Sequence, residues 1–183
     1  MCILCEPIDI SEFVKMNSLN CNGCKNLRGL PKELENLEFP NLEIFECGGC
    51  DNLREIPKQF VNLRQLYCHE CDNIREIPKE LVNLTSLDCW FCPITEIPIE
   101  LTSLTFLSCH DCNISPFGLP KELVNLERLY CWSCENITEI PVEFVNLKEL
   151  GCGRCNIKEI PTFTRLQYLD CHLNEPLTKI STT

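Results

Sequence analysis

The sequence predicts a solenoid, a coil of short stacked repeats with little α-helix, on three observations. A Cys-x-x-Cys pair recurs seven times, at Cys21/Cys24, Cys47/Cys50, Cys68/Cys71, Cys89/Cys92, Cys109/Cys112, Cys131/Cys134 and Cys152/Cys155. Aligning the pairs exposes a period of about 21 residues, and a period of this length belongs to repeats that bury their apolar side only by stacking. Apolar residues make up 44% and charged residues 23% of the 183-residue chain, so one ordered domain with a substantial core is expected rather than a disordered segment.

The elements follow in order along one copy, Leu63-x-x-Leu66-x-Cys68-x-x-Cys71-x-x-Ile74-x-x-Ile77-Pro78-x-x-Leu81-x-x-Leu84, where Leu84 already opens the next. Residues 1–15 form a leader, read as a degenerate capping repeat because Cys2-x-x-Cys5 and Phe13-x-x-Met16 match inner positions. Eight copies then fill 16–183, opening at Met16, Leu42, Leu63, Leu84, Leu104, Leu126, Leu147 and Leu166, with an insert around Glu38-Phe39-Pro40-Asn41 in the first and a truncated last. The alternation Leu66-x-Cys68 has the period of a strand that turns its apolar side chains one way. Pro78 interrupts helical hydrogen bonding, and Leu81 and Leu84 fold the return path onto the same side.

These motifs resemble the leucine-rich repeat family, L-x-x-L-x-L-x-x-N/C-x-L, from Met16 to Ile180, in a short cysteine-rich variant. The resemblance implies an α/β-type leucine-rich-repeat solenoid: a right-handed coil with a parallel β-sheet on the concave face and loops or 3-10 turns on the convex face. It also implies a protein-interaction module without enzymatic activity. Short cysteine-rich versions are weakly similar to predicted proteins of giant viruses of amoebae.

Cys171-x-x-Asn174 in the last repeat restores the family's asparagine at the slot that the second cysteine fills elsewhere. Cys21, Cys24, Cys47, Cys50, Cys68, Cys71, Cys89, Cys92, Cys109, Cys112, Cys131, Cys134, Cys152, Cys155 and Cys171 are therefore read as a structural ladder. The first thiol of each pair serves as a small hydrophobe and the second as a weak donor to a neighbouring turn's carbonyl. The competing metal reading, zinc or an iron–sulfur cluster on the repeated pairs, meets a spacing problem. A tetrahedral zinc site sets its sulfurs roughly 3.8 Å apart, whereas parallel ladder positions recur every ~4.8 Å. Disulfides between turns are marginal for the same reason. No metal or other cofactor is expected, and Cys2 and Cys5 should be the most exposed thiols.

The residue after each first cysteine points outward: Asn22, Gly48, His69, Trp90, His110, Trp132, Gly153 and His172. Every His and Trp of the chain falls in that column. With Tyr67, Phe91, Phe106, Tyr130 and Tyr168 nearby, it is expected to be a partner-binding surface, since Trp and Tyr dominate binding hot spots. The alternative is that the rings stack along the ladder and shield the sheet. Glu43, Glu46, Glu70, Asp88, Asp111, Glu127, Glu149 and Asp170 outnumber Arg64, Arg128, Lys148 and Arg154 around it, which suits a basic protein partner with an apolar anchor. A structural or virion scaffold role is a further alternative.

A net charge of −11 argues against nucleic acid and anionic membrane partners. With no signal peptide or long apolar run, and an odd seventeen cysteines, the chain is expected to be intracellular and cytoplasmic, in the host cytoplasm if viral. No Ser-His-Asp arrangement, phosphate-cradling glycine loop or His-x-x-x-His pair appears, and His69-Glu70 and His110-Asp111 are expected to point apart, so no catalytic residues are assigned. The lightly covered last strand predicts a monomer or weak end-to-end association.

Overall fold

In the computed structural model, which describes residues 2–5, 9–115 and 118–181, short strands recur once per repeat and stack into one parallel sheet. They are β1 (Ser18–Asn20), β2 (Ile44–Glu46), β3 (Gln65–Tyr67), β4 (Ser86–Asp88), β5 (Phe106–Ser108), β6 (Arg128–Tyr130), β7 (Glu149–Gly151) and, in the last repeat, β9 (Tyr168–Asp170). Each begins two residues after its repeat's opening residue. Between β7 and β9 lies β8 (Glu159–Ile160), which pairs in parallel with β10 (Lys179–Ile180) in a separate small sheet. The sequence pattern did not announce that pair.

The register explains the core. Leu19, Phe45, Leu66, Leu87, Leu107, Leu129, Leu150 and Leu169 align as one column at the centre of their strands, with polar and aromatic neighbours on the other side. This is the period-2 alternation of a half-buried strand. Behind the column, Leu, Ile and Phe of the return path close a continuous core that includes Leu63, Leu84, Ile94 and Leu126. Stability therefore accumulates from neighbour to neighbour, as in other quasi-one-dimensional folds.

The convex return is built on proline. In five successive interior repeats the N–H three residues on (Phe60, Leu81, Leu101, Leu123, Phe144) donates to the carbonyl of Pro57, Pro78, Pro98, Pro120 or Pro141, at 3.2 Å each. A second such turn follows at once, as in Leu63 N to Phe60 O and Leu84 N to Leu81 O, both 3.0 Å. Proline's fixed φ and missing donor suit the start of these tight turns. Asn62, Asn83, Asn125 and Asn146 then donate from Nδ2 to a carbonyl one turn back, tying the convex loops together. As expected, helix is scarce: among the described residues there is a single α-helical turn, α1 (Ile10–Phe13), with 3-10 turns at Ile3–Cys5 and Lys32–Leu34.

The ends of the coil differ. At the first, the leader buries Leu4 and Phe13, and Phe13 packs edge-on against Phe39, which in turn meets Phe60. Phe39 belongs to the insert of the long first repeat, whose extra residues thus supply filling for this cap. At the last, Leu166, Leu169, Cys171 and Leu177 are only half-buried.

Candidate functional site

Each Cys-x-x-Cys turn of the repeats, and the Cys171-x-x-Asn174 turn of the last, carries one residue with positive φ just before the second cysteine or the asparagine. It is Gly23 and Gly49 in the first two repeats, and Glu70, Phe91, Asp111, Ser133, Arg154 and Leu173 in the rest, with φ between 53° and 68°. The left-handed turn costs a non-glycine residue on the order of 1–3 kcal/mol. It is held by a ladder bond: the N–H of Glu70 donates to Trp90 O, Phe91 to His110 O and Asp111 to Trp132 O, at 2.9–3.0 Å. That turn sends the second cysteine inward while the preceding residue stays on the sheet face.

Inside, the second thiols share one geometry. Sγ of Cys50, Cys71, Cys92, Cys112, Cys134 and Cys155 donates to the backbone carbonyl of Cys21, Cys47, Cys68, Cys89, Cys109 and Cys131 respectively, at 3.0–3.1 Å. Asn174 repeats the bond, donating from Nδ2 to Cys152 O at 2.7 Å, and adds a second to Cys171 O and an acceptance from Cys155 N–H. All seventeen cysteines are free, and all are buried except Cys2, Cys5 and Cys171, which are half-buried. Burial and the Cys71 hydrogen bond push the Cys47 thiol well above its usual range. Hydrogen bonds to the next turn's cysteine, with burial, do the same for Cys89, Cys109 and Cys131. The thiols of Cys112 and Cys155 are drawn down by their bonds with Cys89 and Cys131, opposed by burial, yet each remains a donor to a backbone carbonyl. Neutral, buried thiols of this kind react poorly.

Outside, the rings form one chain of contacts across the sheet. His69 stacks on Trp90 at 4.7 Å and 4°, and Trp90 on His110 at 5.2 Å and 7°. His110 meets Trp132 edge-on at 5.9 Å, and Trp132 stacks on Tyr130 at 4.9 Å. Phe91 packs edge-on against both Trp90 and His110, and Phe106 meets Tyr130 with the Arg128 guanidinium 4.9 Å over its own ring. Tyr67, Tyr168 and His172 stand outside this chain: Tyr67 donates its hydroxyl to Gln65, while Tyr168 and His172 are exposed near the last strand.

Glycines seat the rings. A Cβ on Gly48 would lie 2.4 Å from the His69 ring, one on Gly151 2.1 Å from Trp132, and one on Gly153 2.8 Å from His172. Two of the column's own positions, Gly48 and Gly153, are thus floors for neighbouring rings rather than gaps in the pattern. Stacking covers part of the apolar area, so His69, Trp90, His110 and Trp132 are half-buried while Phe91 remains 51% and Tyr168 50% exposed.

The acidic groups are ordered around these rings. Burial raises the pKa of Asp88, opposed by hydrogen bonding with Ser108, by the nearby His69 and His110, and by Trp90. Its Oδ1 and the His69 Nδ1 are both buried without a hydrogen-bond partner. Trp132 donates from Nε1 to Asp170 Oδ2 at 3.0 Å, and Tyr130 donates its hydroxyl to Glu149. One expectation fails here. His110 Nδ1 lies 3.2 Å from Asp111 Oδ2, because the left-handed turn at Asp111 folds the carboxylate back beside the ring. Likewise Asp170 holds the ring of His172, and that hydrogen bond, ahead of the opposing desolvation, lowers the carboxyl's pKa.

Comparison with known proteins places the fold. Residues 83–104 match the family model described as Leucine Rich Repeat. No curated protein matches the chain. Among solved structures it is similar to the functional domain of InlJ from Listeria monocytogenes, described as including a cysteine ladder, with a TM-score of 0.71 at 20% identity over 96% of this chain and 43% of that one. The plant peptide hormone receptor RGFR1 in complex with RGF2 gives 0.59 at 20% identity, over 94% of this chain and 38% of that one. The TLR13–ssRNA13 complex gives 0.58 at 24%, over 76% and 23%. The chain spans less than half the length of each, and at such identities the likeness is one of fold. Among the described residues, no helix is long and apolar enough to cross a membrane.

Proposed function

We propose that this chain, a solenoid with the leucine-rich-repeat fold, is a non-enzymatic module that binds a basic protein segment with an apolar anchor on its sheet face. The contact residues are Tyr67, His69, Trp90, Phe91, Phe106, His110, Tyr130, Trp132, Tyr168 and His172. The observation that carries this reading is the unbroken chain of ring contacts from His69 through Trp90, His110 and Trp132 to Tyr130 on the sheet face, with Phe91 exposed beside it. The exposed carboxylates of Glu70 and Asp111 next to these rings would pair with a Lys or Arg from a partner. The ring edges around them, Phe91 included, would then hold the anchor. A structural role for the ladder is supported by the thiols' engagement with backbone carbonyls, which also weighs against metal on the interior pairs. An intracellular, reducing compartment is supported by the odd number of free cysteines.

The test is selection from a randomised peptide library. The wild-type chain should enrich peptides that combine Lys or Arg with an aromatic or aliphatic residue. Glu70→Gln with Asp111→Asn should relax the basic preference, and Trp90→Ala with Trp132→Ala should abolish enrichment while the strand signal in circular dichroism is kept. Enrichment that survives the double tryptophan change would sink the proposal, and a scaffold role would then be the better reading. Weak self-association through the open last repeat belongs to the same proposal.

A further inference from the structure

The first turn of the ladder breaks the rule of the others. Every later second cysteine, and Asn174, donates to the carbonyl of the turn before it; Cys24 has no such turn, and its thiol faces the leader. There the 3-10 turn Ile3–Cys5 sets Cys2 Sγ 3.7 Å from Cys5 Sγ, and Cys5 Sγ lies 3.5 Å from Cys24 Sγ. All three sulfurs lie within 4.8 Å of one another. The fourth thiol of this end, Cys21, is buried at the same end of the core, and the Cys24 N–H donates to its carbonyl at 3.1 Å, so the two share one turn.

We propose that Cys2, Cys5, Cys21 and Cys24 are the ligands of a structural zinc ion that clamps the leader onto the first repeat. Zinc–thiolate bonds of ~2.3 Å in a tetrahedron place sulfurs roughly 3.8 Å apart, close to the separations already present. The spacing in the sequence agrees: two Cys-x-x-Cys pairs separated by residues 6 to 20, fifteen in all, form a zinc pattern. The objection that rules against interior pairs does not apply here, since the two pairs come from a 3-10 turn and a strand end rather than from successive ladder positions. Gly23, at φ +68° with open space around it, gives the Cys21–Cys24 turn the freedom of a metal knuckle.

Lys25, the neighbouring cation, is engaged by Asp51 at 2.7 Å instead of the thiols. Zinc would displace the thiol protons to solvent, and its binding energy would be added to the docking of the leader.

The experiment is metal analysis of the full chain, purified under reductant, with cobalt substitution as the spectroscopic probe. One zinc per chain is expected, together with the thiolate-to-cobalt charge transfer and strong visible bands of a tetrahedral sulfur site. Cys2→Ser with Cys5→Ser should remove both signals while the repeats stay folded, because neither thiol lies in the coil. Cys24→Asn, which installs the residue found at position 174, should remove them too. Cys71→Asn, in the interior, should keep them. The proposal falls if the wild-type chain holds no zinc and gives no cobalt bands, if the double leader variant keeps the metal, if Cys71→Asn loses it equally, or if metal-free protein contains a Cys5–Cys24 disulfide instead. None of these outcomes depends on the sheet face.

Discussion

The two ends of this coil solve the same problem with different chemistry. Stacked repeats leave an exposed layer of core at each end, and something must cover it. At the first end a leader lays Leu4 and Phe13 over the core and brings Cys2 and Cys5 to Cys24. At the last end Asn174 takes the ladder slot, and Leu166, Leu169 and Cys171 stay half-buried. A thiol suits a slot whose one carbonyl is supplied by the turn before. An amide suits a slot that must serve both its own turn and the one before, because it offers two donors and an acceptor. The difference teaches that the cysteines are ladder residues where each has a single task, and that the slot changes chemistry, to other thiol partners or to an amide, in the first and last repeats of this sequence.

The largest effect expected from this contrast lies in the apolar caps. Phe13→Ala removes a ring buried against Phe39 and should cost about 3–5 kcal/mol in denaturant unfolding. Leu169→Ala occupies the corresponding place at the other end but is half-buried, and should cost about 1 kcal/mol. Equal costs would show that the leader is no better packed than the last repeat.

Much of this architecture was legible because it repeats. The period, the inward Leu and Cys positions and the outward column of His and Trp all follow from side chains alternating along strands, a rule that one copy suggests and eight copies fix. What was not legible depends on backbone conformation. Gly23 and Gly49 mark the left-handed turn, but Glu70, Phe91, Asp111, Ser133, Arg154 and Leu173 adopt it with no sequence signal of their own. That turn sets His110 beside Asp111, where strand geometry alone puts them apart. Gly48 and Gly153 stand in the outward column without a side chain, whereas they, with Gly151, are the floors on which neighbouring rings lie. The small parallel sheet of β8 and β10 keeps the period, pairing Ile160 with Ile180 at equivalent positions of successive repeats, but lies on the return path where the pattern predicted turns. Fifteen residues separate the leader pair Cys2-x-x-Cys5 from Cys21, the same interval that separates Cys155 from Cys171, so the sequence read it as a further ladder position and its approach to Cys24 came only from the fold.

A smaller effect separates amide from thiol. Asn174→Ala leaves the carbonyl of Cys152 and the N–H of Cys155 without their partner, and should cost about 1–3 kcal/mol. Asn174→Cys restores the donor to Cys152 but not the acceptor for Cys155, so it should fall between alanine and wild type. If cysteine proves as stable as asparagine, the acceptance from Cys155 contributes nothing, and the two ends differ less than their hydrogen bonds indicate.

The weakest effect is association. Leu173 is 61% and Ile180 46% exposed beside the half-buried Leu169 and Leu177, and β9 is an edge strand of the large sheet. Such an edge invites pairing. The apolar area is small, however, and interfaces well below ~1,000 Å² hold only transiently. Static light scattering should therefore show a mass that rises reversibly with protein concentration, and Leu173→Lys should hold it at the monomer value by placing a charge where a second copy would dock. A substitution at the other end, Val14→Lys, should leave the concentration dependence unchanged if only the last repeat associates. A wild-type chain that stays strictly monomeric at high concentration would mean that the exposed edge of β9 and the half-buried Leu169 and Cys171 do not drive pairing.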